Sequence, residues 1–216
     1  MKRKKLAPLD REELLALHAQ QKKAIRARLA DFERIPASEY FYECVYCLLT
    51  PQSSAVNAGK AVAALQTADF RNNEIDPEPL LHTKEYYIRF HRTKAKHLIA
   101  FKEQFADVEP FLVPARGDGS SIAAREWLVK NVKGVGWKEA SHLLRNIGHR
   151  DLAILDRHIL KNLVRAGAMS SLPKTLTPKR YAAIEGKFLK FADDISIPMD
   201  ELDLLFWSME TGQILK

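Results

Sequence analysis

Two cysteines, nine glycines and ten prolines are spread over 216 residues, and no apolar run is longer than a few positions. Each scarcity removes a class of protein. A bilayer-spanning helix needs roughly 20 apolar residues in a row, so a membrane-crossing chain is excluded. The basic start, MKRKKLAPLD, is followed by no apolar stretch or cleavage site, so it reads as no signal peptide and predicts a cytoplasmic protein. Cys44 and Cys47 stand in YECVYC, a spacing that suits a redox pair or half a zinc site. No second ligand pair accompanies them, and Tyr42, Val45, Tyr46, Leu48 and Leu49 around them read as a buried helix. Two reduced core cysteines are the expectation. Alternating strand patterns, internal repeats and low-complexity segments are also missing.

What remains is helical and basic. Hydrophobic residues make up 46% of the chain and charged residues 28%, the balance of a packed globular protein. Thirty-four Lys and Arg against 27 Asp and Glu leave a net charge of +7, which suits a polyanionic partner. Asp10, with Glu13 three residues on, opens an amphipathic helix over about Arg11–Ile35. Pro36 and Ser38 start another, to about Leu49, and Thr50-Pro51 interrupts before helical period resumes over Ser53–Ala68. Further helices are predicted over Arg92–Phe105, from Ser120 or Ser121 to Asn131, over Asp156–Ala166, after Thr177-Pro178, and over Pro198–Thr211. Asp107–Gly119 reads as the most loop-like stretch. The class is all-α, with two helical lobes expected: 1–39 plus 151–216, and 40–150.

The segment REWLVKNVKGVGWKEASHLLRNIG, residues 125–148, carries the chemistry. A helix with Trp127, Leu128 and Val132 on its apolar side stops at Gly134-Val135-Gly136, and another begins at once. Two glycines around an aliphatic residue permit positive φ and close backbone approach, while Val135 can tuck between the helices. The second helix then offers free N–H groups and its positive dipole end to a phosphate. Such a grip reads no base sequence. On these residues alone an ordinary helix–turn–helix connection, or a non-catalytic DNA clamp, stays open.

Lys138 and Asp156, 18 residues apart, argue for more. A lysine in the first turn of a helix opposes the dipole. Together with partial burial, that misfit favours the neutral amine that a nucleophile requires. Asp156, in LAILDRHIL, is either an N-cap or a carboxylate able to take up the lysine's proton and stabilise a cationic sugar.

With these residues in hand, the chain resembles the helix-hairpin-helix (HhH-GPD) DNA glycosylase superfamily over most of its length. Gly134-Val135-Gly136-Trp137-Lys138-Glu139-Ala140 matches the family's G-x-G-x-K-x-A, whose lysine is the nucleophile of bifunctional members, and Asp156 matches the partner aspartate. LLTPQSSAVNAG, residues 48–59, looks like the L-L-S-x-Q-x-T block, which makes Gln52 the wedge into the duplex. The resemblance also implies a monovalent cation held by main-chain carbonyls of Lys130, Val132 and Val135.

Absences then narrow the branch. No cysteine follows Cys47, so the four-cysteine iron–sulfur cluster of the endonuclease III and adenine-glycosylase branches is not expected. No room exists for the additional N-terminal β domain of the eukaryotic-type 8-oxoguanine glycosylases. The chain is most similar to the compact second type of 8-oxoguanine DNA glycosylase/AP lyase, found in archaea and some bacteria, which typically ends in lysine. That resemblance implies that Lys216 contacts the lesion base, that Trp207 stacks on it, and that Phe90 covers its other face. It implies a cleft between the lobes for double-stranded DNA containing 8-oxoguanine, a nucleoid-associated monomer, and no required cofactor. A glycosylase for an oxidised pyrimidine, uracil or an alkylpurine, and a non-catalytic DNA-binding protein, are the competing expectations.

Overall fold

The computed structural model describes residues 7–113 and 120–214. In chain order its helices are α1 (Arg11–Glu33), α2 (Tyr40–Leu49), α3 (Ala55–Thr67), α4 (Glu78–Leu81), α5 (His91–Glu103), α6 (Phe105–Val108), α7 (Ser120–Asn131), α8 (Trp137–Asn146), α9 (Arg157–Arg165), α10 (Pro178–Ile195) and α11 (Met199–Thr211). Among the described residues the only β pairing is an isolated bridge between His82 and Tyr87, and no helix is long and apolar enough to cross a membrane. The chain divides into two compact units: a terminal unit of residues 1–34 and 150–216, and a central unit of residues 35–149.

In the terminal unit, Asp10 caps α1 by accepting the Arg11 amide at 2.7 Å, and Glu12 and Glu13 favour the dipole in the first turn. Leu14, His18, Ile25, Leu29 and Phe32 form the buried stripe of α1 and pack on α11. Glu201 on α11 accepts from His18 at 2.6 Å and Arg26 at 2.8 Å. Burial works to raise its pKa, but those two partners prevail and hold it below the usual carboxylate range. The segment Leu152–Leu155 is buried before α9 and belongs to no helix or strand. Tyr181 on α10 donates to the Ala153 carbonyl at 2.6 Å and accepts from the Leu155 amide at 3.2 Å, while Glu185 accepts the Ala153 amide at 2.8 Å. These bonds satisfy the segment's backbone without a sheet and fix the point at which Asp156 emerges.

The central unit is built around α2, buried on nearly every side. Phe41 stacks on Phe101 at 5.4 Å and meets Phe105 edge-on at 5.1 Å. Cys44 and Cys47 are buried free thiols, and burial pushes that of Cys44 well up, away from the reactive thiolate.

Three expectations need correction here. The stretch after Asp107 is not simply loop: α6 and a 3-10 turn over Glu109–Leu112 occupy its start, because Phe105, Val108 and Leu112 are buried and Phe111 stacks on Trp127 at 3.9 Å. The helix expected from Ser53 begins at Ala55, with Ser54 as its cap, accepting from the Asn57 amide at 3.1 Å. Ser121 lies inside α7, where its hydroxyl pairs with His149 Nδ1 at 2.9 Å instead of capping the helix. Burial lowers the His149 pKa, against the pull of its bond to the Leu112 carbonyl.

Candidate functional site

The hairpin joins α7 to α8 within the central unit. Gly134 has φ +90, and a side chain there would strike the His97 imidazole of α5 as well as strain the backbone. Gly136 differs from the expectation of positive φ. It is extended, at φ −96 and ψ −178, and serves as N-cap of α8. Its lack of a side chain matters for space, since a Cβ there would lie 2.8 Å from Glu139 Oε2. Val135 is half-buried, and its amide bonds back to the Val132 carbonyl at 3.2 Å. Behind the hairpin, buried Arg125 of α7 donates to Ser141 at 3.2 Å and lies 4.8 Å from the Trp137 ring centre, anchoring the first residue of α8.

Lys138 stands at the second position of α8 with its side chain 27% exposed, and its ammonium pairs with Glu139 at 3.1 Å. The predicted half-buried lysine at a positive helix end is therefore present, with a carboxylate neighbour that sequence reasoning missed.

Beneath the loop after α2 lies a second lysine that also went unremarked. Lys94 of α5 is 6% exposed, and its Nζ donates to the Leu49 and Pro51 carbonyls, each at 2.7 Å, and reaches Ser53 Oγ at 3.4 Å. Burial, reinforced by the Lys138 charge and opposed by Glu139, lowers its pKa to about 8. Gln52 and Phe90, both candidate residues, adjoin this network in the chain, Gln52 between Pro51 and Ser53 and Phe90 next to Arg89. Both are exposed and left-handed, at φ 57 and φ 60, a conformation that costs a residue with a side chain roughly 1–3 kcal/mol. Ser53 Oγ also accepts the Arg89 amide at 3.0 Å, tying the two segments together. The Arg89 guanidinium lies 4.9 Å from the centre of the Phe90 ring, which is 50% exposed.

In the terminal unit, Asp156 and Trp207 meet directly. Asp156 Oδ1 accepts the His158 and Ile159 amides at 2.7 and 2.8 Å, capping α9, while Oδ2 accepts the Trp207 indole N–H at 3.0 Å. Capping and a chemical role were read as alternatives, yet one carboxylate has an oxygen for each. Trp207 is only partly buried, unlike Phe206 beside it, and His158 meets its ring edge-on at 5.8 Å. Lys216 lies outside the described residues.

The comparisons with known proteins agree on the family. The sequence family described as 8-oxoguanine DNA glycosylase matches residues 25–197. A Fusobacterium nucleatum protein named 8-oxoguanine DNA glycosylase/AP lyase is 39% identical over 211 residues, covering 94% of this chain and 96% of that protein. A Korarchaeum cryptofilum protein of the same name is 36% identical, covering 89% and 90%. The crystal structure of the 8-oxoguanine DNA glycosylase of Thermotoga maritima superposes with a TM-score of 0.81 at 29% identity, covering 95% of this chain and 98% of that one. That of the Methanocaldococcus jannaschii 8-oxoguanine glycosylase/lyase, in complex with a 15-mer DNA containing 8-oxoguanine, gives 0.80 at 31% identity, covering 95% and 99%. This chain belongs to the 8-oxoguanine DNA glycosylase family.

Proposed function

We infer that the chain excises 8-oxoguanine from duplex DNA and then cleaves the strand at the abasic site. The observation that carries this reading is Lys138, half-buried in the first turn of α8 directly after the glycine hairpin, in a chain that spans nearly the full length of relatives named for that activity.

The hairpin amides and the positive end of α8 hold a phosphate of the lesion strand. The damaged nucleotide leaves the stack at a cost of about a few kcal/mol, which Gln52 in the vacated space and stacking on Trp207 and Phe90 offset. Lys138 gives up its proton and its ion pair with Glu139, and the neutral amine attacks C1′. The C1′–N9 bond breaks, and the base leaves with the electron pair and takes up a proton. That proton comes from the attached nitrogen, whose lone pair then expels O4′ from C1′; the sugar ring opens, O4′ is protonated and a Schiff base forms. The Schiff base makes the C2′ proton acidic, and loss of that proton breaks the C3′–O bond and expels the 3′ phosphate by β-elimination. Asp156 stabilises the cationic sugar. With both oxygens already accepting, it suits this electrostatic role and holding a transferred proton only briefly.

The carbonyls at the end of α7 run out of intrahelical amides, and the Val132 carbonyl spends one lone pair on Val135. Lys130, Val132 and Val135 thus suit a monovalent cation, which would add positive charge beside the phosphate. The chemistry itself asks for no cofactor, and one copy of the chain carries every assigned group. A chromosomal substrate puts the working enzyme at the nucleoid.

Borohydride trapping on an 8-oxoguanine duplex tests nucleophile and substrate together. The expected result is a covalent protein–DNA adduct that Lys138→Gln abolishes. An adduct that survives the substitution overturns the nucleophile. DNA binding without adduct or freed base leaves a passive clamp, and trapping on a different lesion alone changes the substrate.

A further inference from the structure

We propose that Lys94 is the positioning residue of the lesion-capture loops, its buried ammonium holding Gln52 and Phe90 together in the left-handed conformations that present them. The inference rests on the function proposed above for those two residues and adds a group that does not touch the substrate.

Three observations converge on Lys94. Its Nζ gathers acceptors from both sides of Gln52: the Leu49 and Pro51 carbonyls before it and Ser53 Oγ after it. Its backbone amide bonds to the Phe90 carbonyl at 2.9 Å, so the residue that closes the first loop also closes the turn made by Phe90. Ser53, reached by Nζ, receives the Arg89 amide and completes a closed circuit of hydrogen bonds through both segments. Left-handed residues with side chains persist only where surrounding bonds over-determine them. Around Gln52 the buried Lys94 side chain supplies those bonds, and it reaches the Phe90 turn through Ser53, which holds the Arg89 amide. Leu98 and Phe101 lie on the same buried face of α5, where a lysine is out of place unless it has a polar task. The helix end offers that task, because the last carbonyls of α2 lack amide partners.

The same group is also a charge neighbour of Lys138 and Glu139. Loss of Lys94 acts on base capture through geometry; the Lys138 amine stays in place on α8 and loses only a neighbouring positive charge, which Lys94→Arg retains. The two effects separate by substrate. Excising an intact lesion requires extrusion and stacking; cutting a preformed abasic site has no base to extrude and needs the amine.

Lys94→Met keeps the length of the chain and removes every donor, and Lys94→Arg keeps donors and charge. On an 8-oxoguanine duplex, the single-turnover excision rate of Lys94→Met should fall roughly ten- to a hundredfold, the range that a misplacement of about 1 Å produces. Borohydride trapping of the same variant on an abasic-site duplex should fall less than about threefold, which shows that the protein is folded and the nucleophile intact. A 2-aminopurine placed beside the lesion should brighten on binding the parent protein and stay dim with Lys94→Met, while Lys94→Arg recovers at least part of both signals. Equal losses on the two substrates would mean a purely structural lysine and overturn the proposal, as would unchanged excision. If the parent protein neither excises nor traps, the proposed function fails instead, before Lys94 is in question.

Discussion

The two units differ in the balance of the charges they bury. The terminal unit buries mainly acids: Glu185 holds the segment before α9, and Glu201 is held by His18 and Arg26. The central unit buries mainly bases, with Lys94 set against carbonyls at the end of α2, Arg125 against Ser141 and Trp137, and Arg145 also buried, as is the acid Glu43. Left-handed residues with side chains occur in both units, Asp151 and Ser196 in one and Gln52, Asp69 and Phe90 in the other. Ser196 in the terminal unit ends α10, an ordinary place for that conformation. In the central unit Gln52 and Phe90 are exposed and tied from beneath. One unit therefore offers a carboxylate bonded to an aromatic ring, and the other a half-buried amine after a glycine hairpin and two exposed left-handed residues.

The largest expected effect tests the carboxylate. Asp156→Asn keeps an acceptor for the α9 amides but turns an NH2 group toward the Trp207 N–H, or the reverse if the amide flips. Stability should change by only about 1 kcal/mol, the size of a cap or one hydrogen bond. The rate of excision should fall by roughly 10²–10⁴, as for a lost proton-transfer or charge-stabilising group. Melting curves, DNA titration and single-turnover kinetics separate these. If binding and chemistry fall together, the carboxylate is a cap and the division of labour collapses.

The hairpin glycines provide the next contrast, within the central unit. Gly134→Ala places a methyl at φ +90 and against His97, so it should cost at least about 1–2 kcal/mol. For a chain of this size that is roughly 2–8 °C in Tm, with a matching loss of DNA affinity. Gly136→Ala keeps an allowed backbone and only displaces the Glu139 carboxylate, so its loss should be under half as large. Equal costs would show that the hairpin does not depend on the left-handed turn.

How far these features could be read in advance depends on how local they are. The hairpin, Lys138 and Asp156 announce themselves because glycine spacing, helix entry and capping are properties of neighbours in the chain. The helix of α11 is legible, but not the bond from Trp207 to Asp156, which joins residues 51 positions apart. Lys94 takes its carbonyl acceptors from residues 43 and 45 positions away, so only the packed structure shows what it holds. A faint signal existed: Lys94 sits one turn before Leu98 and two before Phe101, on the apolar stripe of α5. The turn over Glu109–Leu112 was missed because glycine and proline nearby outweigh a local apolar period when three dimensions are not in view.

Acid should loosen the units at different pH. In the central unit, burial lowers the His149 pKa, so the folded state keeps a neutral ring while the unfolded chain takes up a proton near pH ~6.5. The unfolded state then binds more protons, and stability falls as pH drops from that value through the folded pKa. Glu201 in the terminal unit also has a lowered pKa, but its window opens only near ~4.3, the unfolded carboxylate value. Hydrogen exchange resolved by segment should therefore show α7 and α8 losing protection on the way from pH 7 to 5, while α1 and α11 hold until the medium is more acidic. Loss of both at a single pH would show that the units share one cooperative transition.

The smallest effect is expected from Trp207→Phe, which keeps a flat ring for stacking and removes one N–H. In the parent protein that N–H orients Asp156 Oδ2, while the α9 amides hold Oδ1. With Oδ1 still anchored at two points, the carboxylate cannot leave; it can only rotate about its own axis, and water at this partly exposed position can take the place of the indole. The penalty should be that of one hydrogen bond, about 1 kcal/mol, or roughly fivefold in the single-turnover rate. Trp207→Ala, which removes stacking as well, should cost several times more. If Phe is as damaging as Ala, the ring contributes nothing by stacking and Trp207 acts only through Asp156. If Phe is silent, the α9 amides alone orient the carboxylate, and the terminal unit presents its anion by helix capping with no help from the aromatic side chain.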